Sequence, residues 1–275
     1  MTTAATIPAD AQLAEAMVAA AIEAGRTILE ARERGVGVER KADASPVTEA
    51  DRAAEQVIVD RLAEAAPGIP VIAEEAVAAG RIPEVGGRFF LVDPLDGTRE
   101  FVRGGNDFTV NIGLVRDRAP AVGVIYLPAS GKLFAGVVGE GAWRAAASDG
   151  VVGERQRLAV RPAPDGAVDI IASRSHRTPE TDAFIARYPR ARIVSRGSSL
   201  KFCALAEGKA DLYPRLGTTM QWDTAAGDAI LRAAGGKVVT LDGAPLTYGP
   251  TDAAGGEAYK NPWFVASGGM QPTPA

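Results

Sequence analysis

One cysteine and one histidine are all that 275 residues hold of the side chains that build disulfides and imidazole metal sites. Cys203 has no partner in the chain, so no internal disulfide forms. A lone thiol fits a reducing compartment, and its apolar setting, SLKFCALAEG, predicts a buried small hydrophobe. His176 alone cannot make a zinc site of histidines. No apolar run approaches the roughly 18 residues that a membrane-spanning helix needs. The opening MTTAATIPADAQ lacks the basic-then-apolar pattern of a secretory signal. The expected compartment is therefore the cytoplasm, with peripheral association on the inner membrane left open. Lysine and arginine, 30 against 34 acidic residues, form no block, which excludes long nucleic acid as a partner. Also missing are the G-x-S-x-G elbow, the G-x-x-x-x-G-K-[ST] loop and the G-x-G-x-x-G fingerprint. Chemistry is left to carboxylates, hydroxyls and bound metal. Oligomeric state is not legible.

Apolar residues make up 47% of the chain and are spread along it, enough for one large domain or two small ones sharing an interface. Helical spacing runs through residues 11–32 and 49–65. VIAEE reads as a short strand ending in two acids, and RFFLVD as another. DFTVNIGLV, APAVGVIYLP and KLFAGVV follow as three strands of one sheet. Later strands (VDIIAS, ARIVS, ADLYPR, KVVTL, PWFVAS) alternate with helices, the pattern of a layered α/β fold. A stretch rich in Gly, Ala, Arg and Pro at 143–166 predicts a division. An N-terminal α+β unit, 1–155, would carry most site residues, and a C-terminal α/β unit, 156–275, would add Asp223.

The sharpest local feature is DPLDGTREF. An apolar strand delivers Asp93, Pro94 keeps the backbone there extended, and Asp96, Gly97 and Thr98 read as a helix opening. Two carboxylates around such a bend suit a hard divalent cation, and free helix N–H groups beside it suit a phosphate. Asp96 as a plain helix cap is the competing reading. Glu74 and Glu75 close a second strand, unless they are simply surface acids. Asp223 opens a late helix, where a first-turn acid is favoured by the helix dipole in any case. Thr48 and Asp51 fit a capping box, so Asp51 would take a second role only if that box is absent or imperfect.

Taken in order, KADASPVTEAD (41–51), VIAEE (71–75), VDPLDGTREF (92–101) and MQWDTAAGDAIL (220–231) resemble the inositol monophosphatase superfamily, and within it the bacterial 3'(2'),5'-bisphosphate nucleotidases. The resemblance covers nearly the whole chain. It implies an αβαβα sandwich and magnesium, two or three ions, with sensitivity to lithium. It assigns Glu74 as a bridging acid, Asp93 as a carboxylate shared between ions, the Leu95 carbonyl as a first-metal ligand, Asp96 as a second-metal ligand and Asp223 as the ligand from the C-terminal part. Asp51 and Thr98 would orient and activate the attacking water, and Gly97 and Thr98 amides would meet the phosphate. The implied substrate is adenosine 3',5'-bisphosphate, losing its 3'-phosphate to give AMP, with phosphoadenylyl sulfate a related candidate. Inositol or sugar phosphates on the same apparatus are the nearer alternative, and a non-catalytic metal or nucleotide sensor the remoter one. A second phosphate needs a second anion site, for which Ser198 and Lys201 in GSSLKF, Arg215 in YPRLG, and Arg174 and His176 in SRSHR are the candidates. Lys201 as a solvated helix lysine, Arg215 as a surface turn and Ser198 as an N-cap are the plainer readings.

Overall fold

The computed structural model describes residues 8–35, 37–40, 46–148, 150–172, 178–195, 197 and 199–272. Arg174, His176 and Ser198 lie outside them. In chain order the elements are α1 (Asp10–Arg34), β1 (Val38–Arg40), β2 (Pro46–Thr48), α2 (Glu49–Ala65), β3 (Val71–Ala73), α3 (Glu74–Ala78), β4 (Arg88–Asp96), α4 (Thr98–Val102), β5 (Thr109–Arg116), β6 (Ala119–Leu127), β7 (Lys132–Val137), β8 (Gly141–Ser148), β9 (Val151–Val152) and β10 (Gln156–Leu158). Then come β11 (Val168–Ala172), α5 (Pro179–Ile185), β12 (Ala191–Ser195), α6 (Leu200–Ala206), β13 (Leu212–Arg215), α7 (Ala225–Ala233), β14 (Lys237–Thr240) and β15 (Phe264–Ser267).

An eight-stranded sheet has the order β10-β8-β7-β6-β5-β4-β3, with β9 paired to β8. All its pairs are antiparallel except β3 with β4 at one edge. A five-stranded sheet follows, β12-β11-β13-β15-β14, parallel through its first three strands. Three apolar cores fix the layering. The first fills the space between α1, α2 and one face of the large sheet, with Leu13, Met17, Ile28, Ile58 and Leu62 fully buried. Each such side chain contributes about 1.5–3 kcal/mol by burial. The second core joins the opposite face to α6, α7 and the small sheet, and the third packs α5 beneath that sheet. The sequence of layers is therefore α-β-α-β-α, as the resemblance implies.

The large sheet continues through β8, β9 and β10 and so reaches Leu158, three residues past the expected division at 155/156. Gly113, Gly123 and Gly136 stand in register on β5, β6 and β7. A Cβ on them would meet Ala225 Cβ at 2.8 Å, Ala226 O at 2.1 Å and Ile230 Cα at 2.9 Å. This side-chain-free row lets α7 lie directly on the sheet, which brings the turn before it, and Asp223, down to the ends of the strands that carry Asp93.

Candidate active site

Asp93 and Asp96 sit three apart on β4, a spacing that in a regular strand points side chains to opposite faces. The register breaks that alternation. Asp93 pairs with Asn111 and Asp96 with Thr109, so β4 carries one more residue than β5 over that interval. The extra residue is a β-bulge, and it includes Pro94, whose missing N–H could not serve the ladder. Asp93 is buried, and its Oδ1 accepts the Leu95 N–H at 3.0 Å. Gly97 then caps α4 at φ 99°, a left-handed conformation that strains other residues. A Cβ there would stand 2.9 Å from the Asp107 carbonyl oxygen. Arg32 of α1 steadies that loop by donating to the Gly104 and Gly105 carbonyls at 2.7 and 3.1 Å.

Glu74 and Glu75 do not end β3 as its apolar run suggested; they form the first turn of α3. An acid at a helix start is favoured by the helix dipole, so this short helix follows from the same two residues. Asp223 likewise does not open α7. It closes a 3-10 turn, Gln221–Asp223, and its Oδ2 accepts the Met220 N–H at 2.9 Å. Oxygen ligand atoms of Glu74, Asp93 and Asp223 lie within 4.8 Å of one another. Burial, then the charge of Asp96, then that of Glu74, push the Asp223 carboxyl up to about 8. Carboxylates crowded this closely repel unless a cation sits among them. An all-oxygen donor set is the kind that magnesium takes, so the residues present fit such an ion.

Asp96 is outside that trio of converging atoms. Its Oδ2 accepts the Ser199 N–H at 2.9 Å and lies 3.0 Å from the Ser199 hydroxyl, which is also 3.0 Å from the Asp223 carbonyl oxygen. Asn111 on β5 donates to the same hydroxyl at 2.9 Å. Ser199 thus ties the β4 acid to the turn holding Asp223. The sequence marked Ser199 only as part of a helix start in GSSLKF. Nothing local shows that its partners are 103 and 24 residues away.

Asp51 does two things at once. The capping box is intact: Asp51 Oδ2 accepts the Thr48 N–H at 2.7 Å and the Thr48 hydroxyl at 2.6 Å, and Thr48 Oγ1 accepts from Ala50 N at 3.2 Å. The other oxygen, Oδ1, lies 3.0 Å from the Thr98 hydroxyl, which can alternatively donate to the Leu95 carbonyl at 3.1 Å. A capping box does not exhaust the carboxylate, which has two acceptor atoms: Oδ2 meets Thr48 while Oδ1 faces Thr98. The Leu95 carbonyl accordingly stands beside Thr98 at the bulge.

Lys201 is not a solvated helix lysine. It is buried, with Nζ 5.4 Å from the centre of the Tyr213 ring. Burial lowers its pKa to about 8; the charge of Asp96 opposes the shift and that of Arg215 reinforces it. Arg215 is half-buried and donates to the Thr218 carbonyl, while its Nε is buried without a hydrogen-bond partner. Cys203 is buried, and its surroundings hold the thiol well above its ordinary pKa.

Residues 9–267 match the model of the inositol monophosphatase family, and the chain belongs to that family. Among individual proteins, it is 43% identical to the 3'(2'),5'-bisphosphate nucleotidase CysQ of Shigella flexneri over 227 residues, 82% of this chain and 87% of that one. The crystal structure of CysQ from Bacteroides thetaiotaomicron superposes with a TM-score of 0.76 at 39% identity, covering 94% of this chain and 98% of that one. A structure of SaIMPase-II with 2'AMP bound superposes with a TM-score of 0.68 at 25% identity, covering 90% and 86%.

Proposed function

We propose that this chain is a magnesium-dependent 3'(2'),5'-bisphosphate nucleotidase that removes the 3'-phosphate of adenosine 3',5'-bisphosphate and leaves AMP. The observation that carries the reading is the meeting of Glu74, Asp93 and Asp223 at the strand ends beside the Asp51–Thr98 hydrogen bond. The names of the CysQ relatives supply the substrate class.

Glu74, Asp93, Asp96, Asp223 and the Leu95 carbonyl would hold two or three magnesium ions. Bound there, magnesium supplies positive charge to the phosphate oxygens and acidifies water. The chain's own residues do the rest. Thr98 accepts a hydrogen bond from the attacking water and passes a proton on to Asp51 Oδ1. The water oxygen bonds to phosphorus as the bond from phosphorus to the ribose 3' oxygen breaks; that oxygen takes a proton from solvent to become the 3'-hydroxyl, and Asp51 returns its proton to solvent. Main-chain N–H groups of Gly97 and Thr98 receive the phosphoryl oxygens as charge builds on them. No covalent enzyme intermediate is required. The 5'-phosphate would rest against Lys201 and Arg215; Arg174, His176 and Ser198, the other candidates from the sequence, lie outside the described residues. The buried, orphaned Arg215 Nε supports this placement, since an anion would complete it. We place the reaction in a cleft between the two units and the protein in the cytoplasm; among the described residues no helix is long and apolar enough to cross a membrane.

Side-by-side turnover of adenosine 3',5'-bisphosphate, inositol 1-phosphate and fructose 1,6-bisphosphate tests the substrate. The nucleotide should have the highest kcat/KM. A preference for either of the other two transfers the site to inositol or sugar phosphates, and ligand binding without phosphate release would make it a sensor.

A further inference from the structure

Helix α2 carries two buried carboxylates one turn apart, Asp51 and Glu55, at the i, i+4 spacing that puts both on one face. Asp51 reaches Thr98. Glu55 reaches elsewhere: its Oε2 accepts the Glu75 N–H at 2.7 Å, and the Ala76 N–H also bonds to its carboxylate. These are first-turn amides of α3, the donors that a helix leaves unsatisfied at its start. The residue at the N-cap, Ala73, has no side chain to meet them. Glu55 is therefore a cap supplied from a different helix, 20 residues away in sequence.

What that cap holds is Glu74. The helix has only five residues. It leaves β3, a three-residue edge strand that among the described residues pairs only with β4. Sheet pairing thus fixes the approach to Glu74 from one side alone, and the anchored first turn fixes the other. Burying a carboxylate costs several kcal/mol unless hydrogen bonds offset it. Burial indeed raises the Glu55 pKa, and the neighbouring charge of Glu74 adds to the rise, while the two amides and Arg81 oppose it. An apolar residue would pack this helix face without that cost, so the acid's return lies in what it orients.

We infer that Glu55 is a positioning residue: by capping α3 it sets the aim of Glu74 toward Asp93 and Asp223, and because it shares α2 with Asp51 it holds the metal side and the water side of the site at a fixed separation. This rests on the reading of Glu74 as a metal ligand. Residues that orient metal ligands typically change metal affinity about 10- to 100-fold when removed.

Calorimetric titration of chelator-stripped protein with magnesium ions alone tests it, alongside the magnesium concentration giving half-maximal turnover and the melting temperature. Glu55→Ala should weaken magnesium binding roughly tenfold or more, with kcat largely restored at high magnesium. Glu55→Gln keeps one acceptor and should fall between Glu55→Ala and wild type. Phe184→Leu, buried in the third core under the small sheet, should lower stability and leave magnesium binding unchanged. Should Glu55→Ala fail to fold, Glu55→Asp decides, since its shorter side chain withdraws the acceptor from Glu75 N. Wild-type magnesium affinity in the deciding variant overturns the inference. A wild-type protein that binds no magnesium overturns the metal site itself, and the inference with it.

Discussion

Replacing Asp51 by asparagine separates two functions that one side chain performs. Asparagine can place its Oδ1 where Asp51 Oδ2 stands, still accepting from Thr48 N and Oγ1, now 2.7 and 2.6 Å from the carboxylate. The cap survives in weakened form, because a neutral acceptor replaces a charged one. Outright loss of an N-cap costs about 0.5–2 kcal/mol, so the substitution should cost less than this; at roughly 2–4 °C per kcal/mol for a chain of this size the melting temperature should fall by less than about 8 °C. The other atom becomes an amide facing Thr98 Oγ1, across the present 3.0 Å hydrogen bond. Thr98 can then only accept there, and nothing takes the water's proton. Loss of a general base costs about 10²- to 10⁴-fold in rate. The assay is kcat for phosphate release at saturating magnesium, with a melting curve on the same sample. Asp51→Ala should add a stability loss, since it orphans the buried Thr48 N–H. A kcat for Asp51→Asn within about threefold of wild type would refute the reasoning and leave Asp51 a helix cap only; the expected loss is at least a hundredfold.

Lys201→Ala should raise KM for adenosine 3',5'-bisphosphate roughly ten- to a hundredfold, the worth of one charge-assisted contact, and change inositol 1-phosphate turnover much less; equal effects on both would remove Lys201 from a second-phosphate site. Asp228→Ala should lower stability by about 3–5 kcal/mol, because buried Asp228 accepts from Arg232 at 2.7 and 3.0 Å and from Tyr248 at 3.1 Å; thermal melts read the loss, and Asp228→Ala with Arg232→Met should recover part of it. The metal-free protein should lose stability as pH rises from about 4 toward 8. Asp223 binds its proton more tightly folded, with a pKa of about 8, than unfolded, near 3.8. Added magnesium should therefore raise the melting temperature more at pH 8 than at pH 5, and Asp223→Asn should flatten the difference; an equal rise at both pH values would contradict the crowding of acids around Asp223.

The acids proposed as metal ligands are legible in the sequence and their supports are hidden, for a physical reason. Asp93, Asp96 and Asp223 stand at breaks in apolar runs, where a charged residue is conspicuous. The irregularity between Asp93 and Asp96 could be guessed from Pro94, but the bulge itself is a matter of pairing with β5. The length of α2 is legible because its apolar face is periodic, whereas the five-residue α3 reads as the tail of a strand because no period develops over so few residues. Glu55 looks like any polar residue on an amphipathic helix, and only the fold shows α3 lying against it. Lys201 shows the same limit: it is buried, and its Nζ faces the ring of Tyr213, twelve residues on and across a turn.

The most direct test of the account is phosphorus NMR of adenosine 3',5'-bisphosphate incubated with chelator-treated protein, before and after magnesium is added. The account predicts no change until magnesium is supplied, then loss of the 3' resonance with inorganic phosphate rising and the 5' resonance of AMP retained. Full turnover in the presence of chelator, or release of the 5'-phosphate in its place, would contradict it.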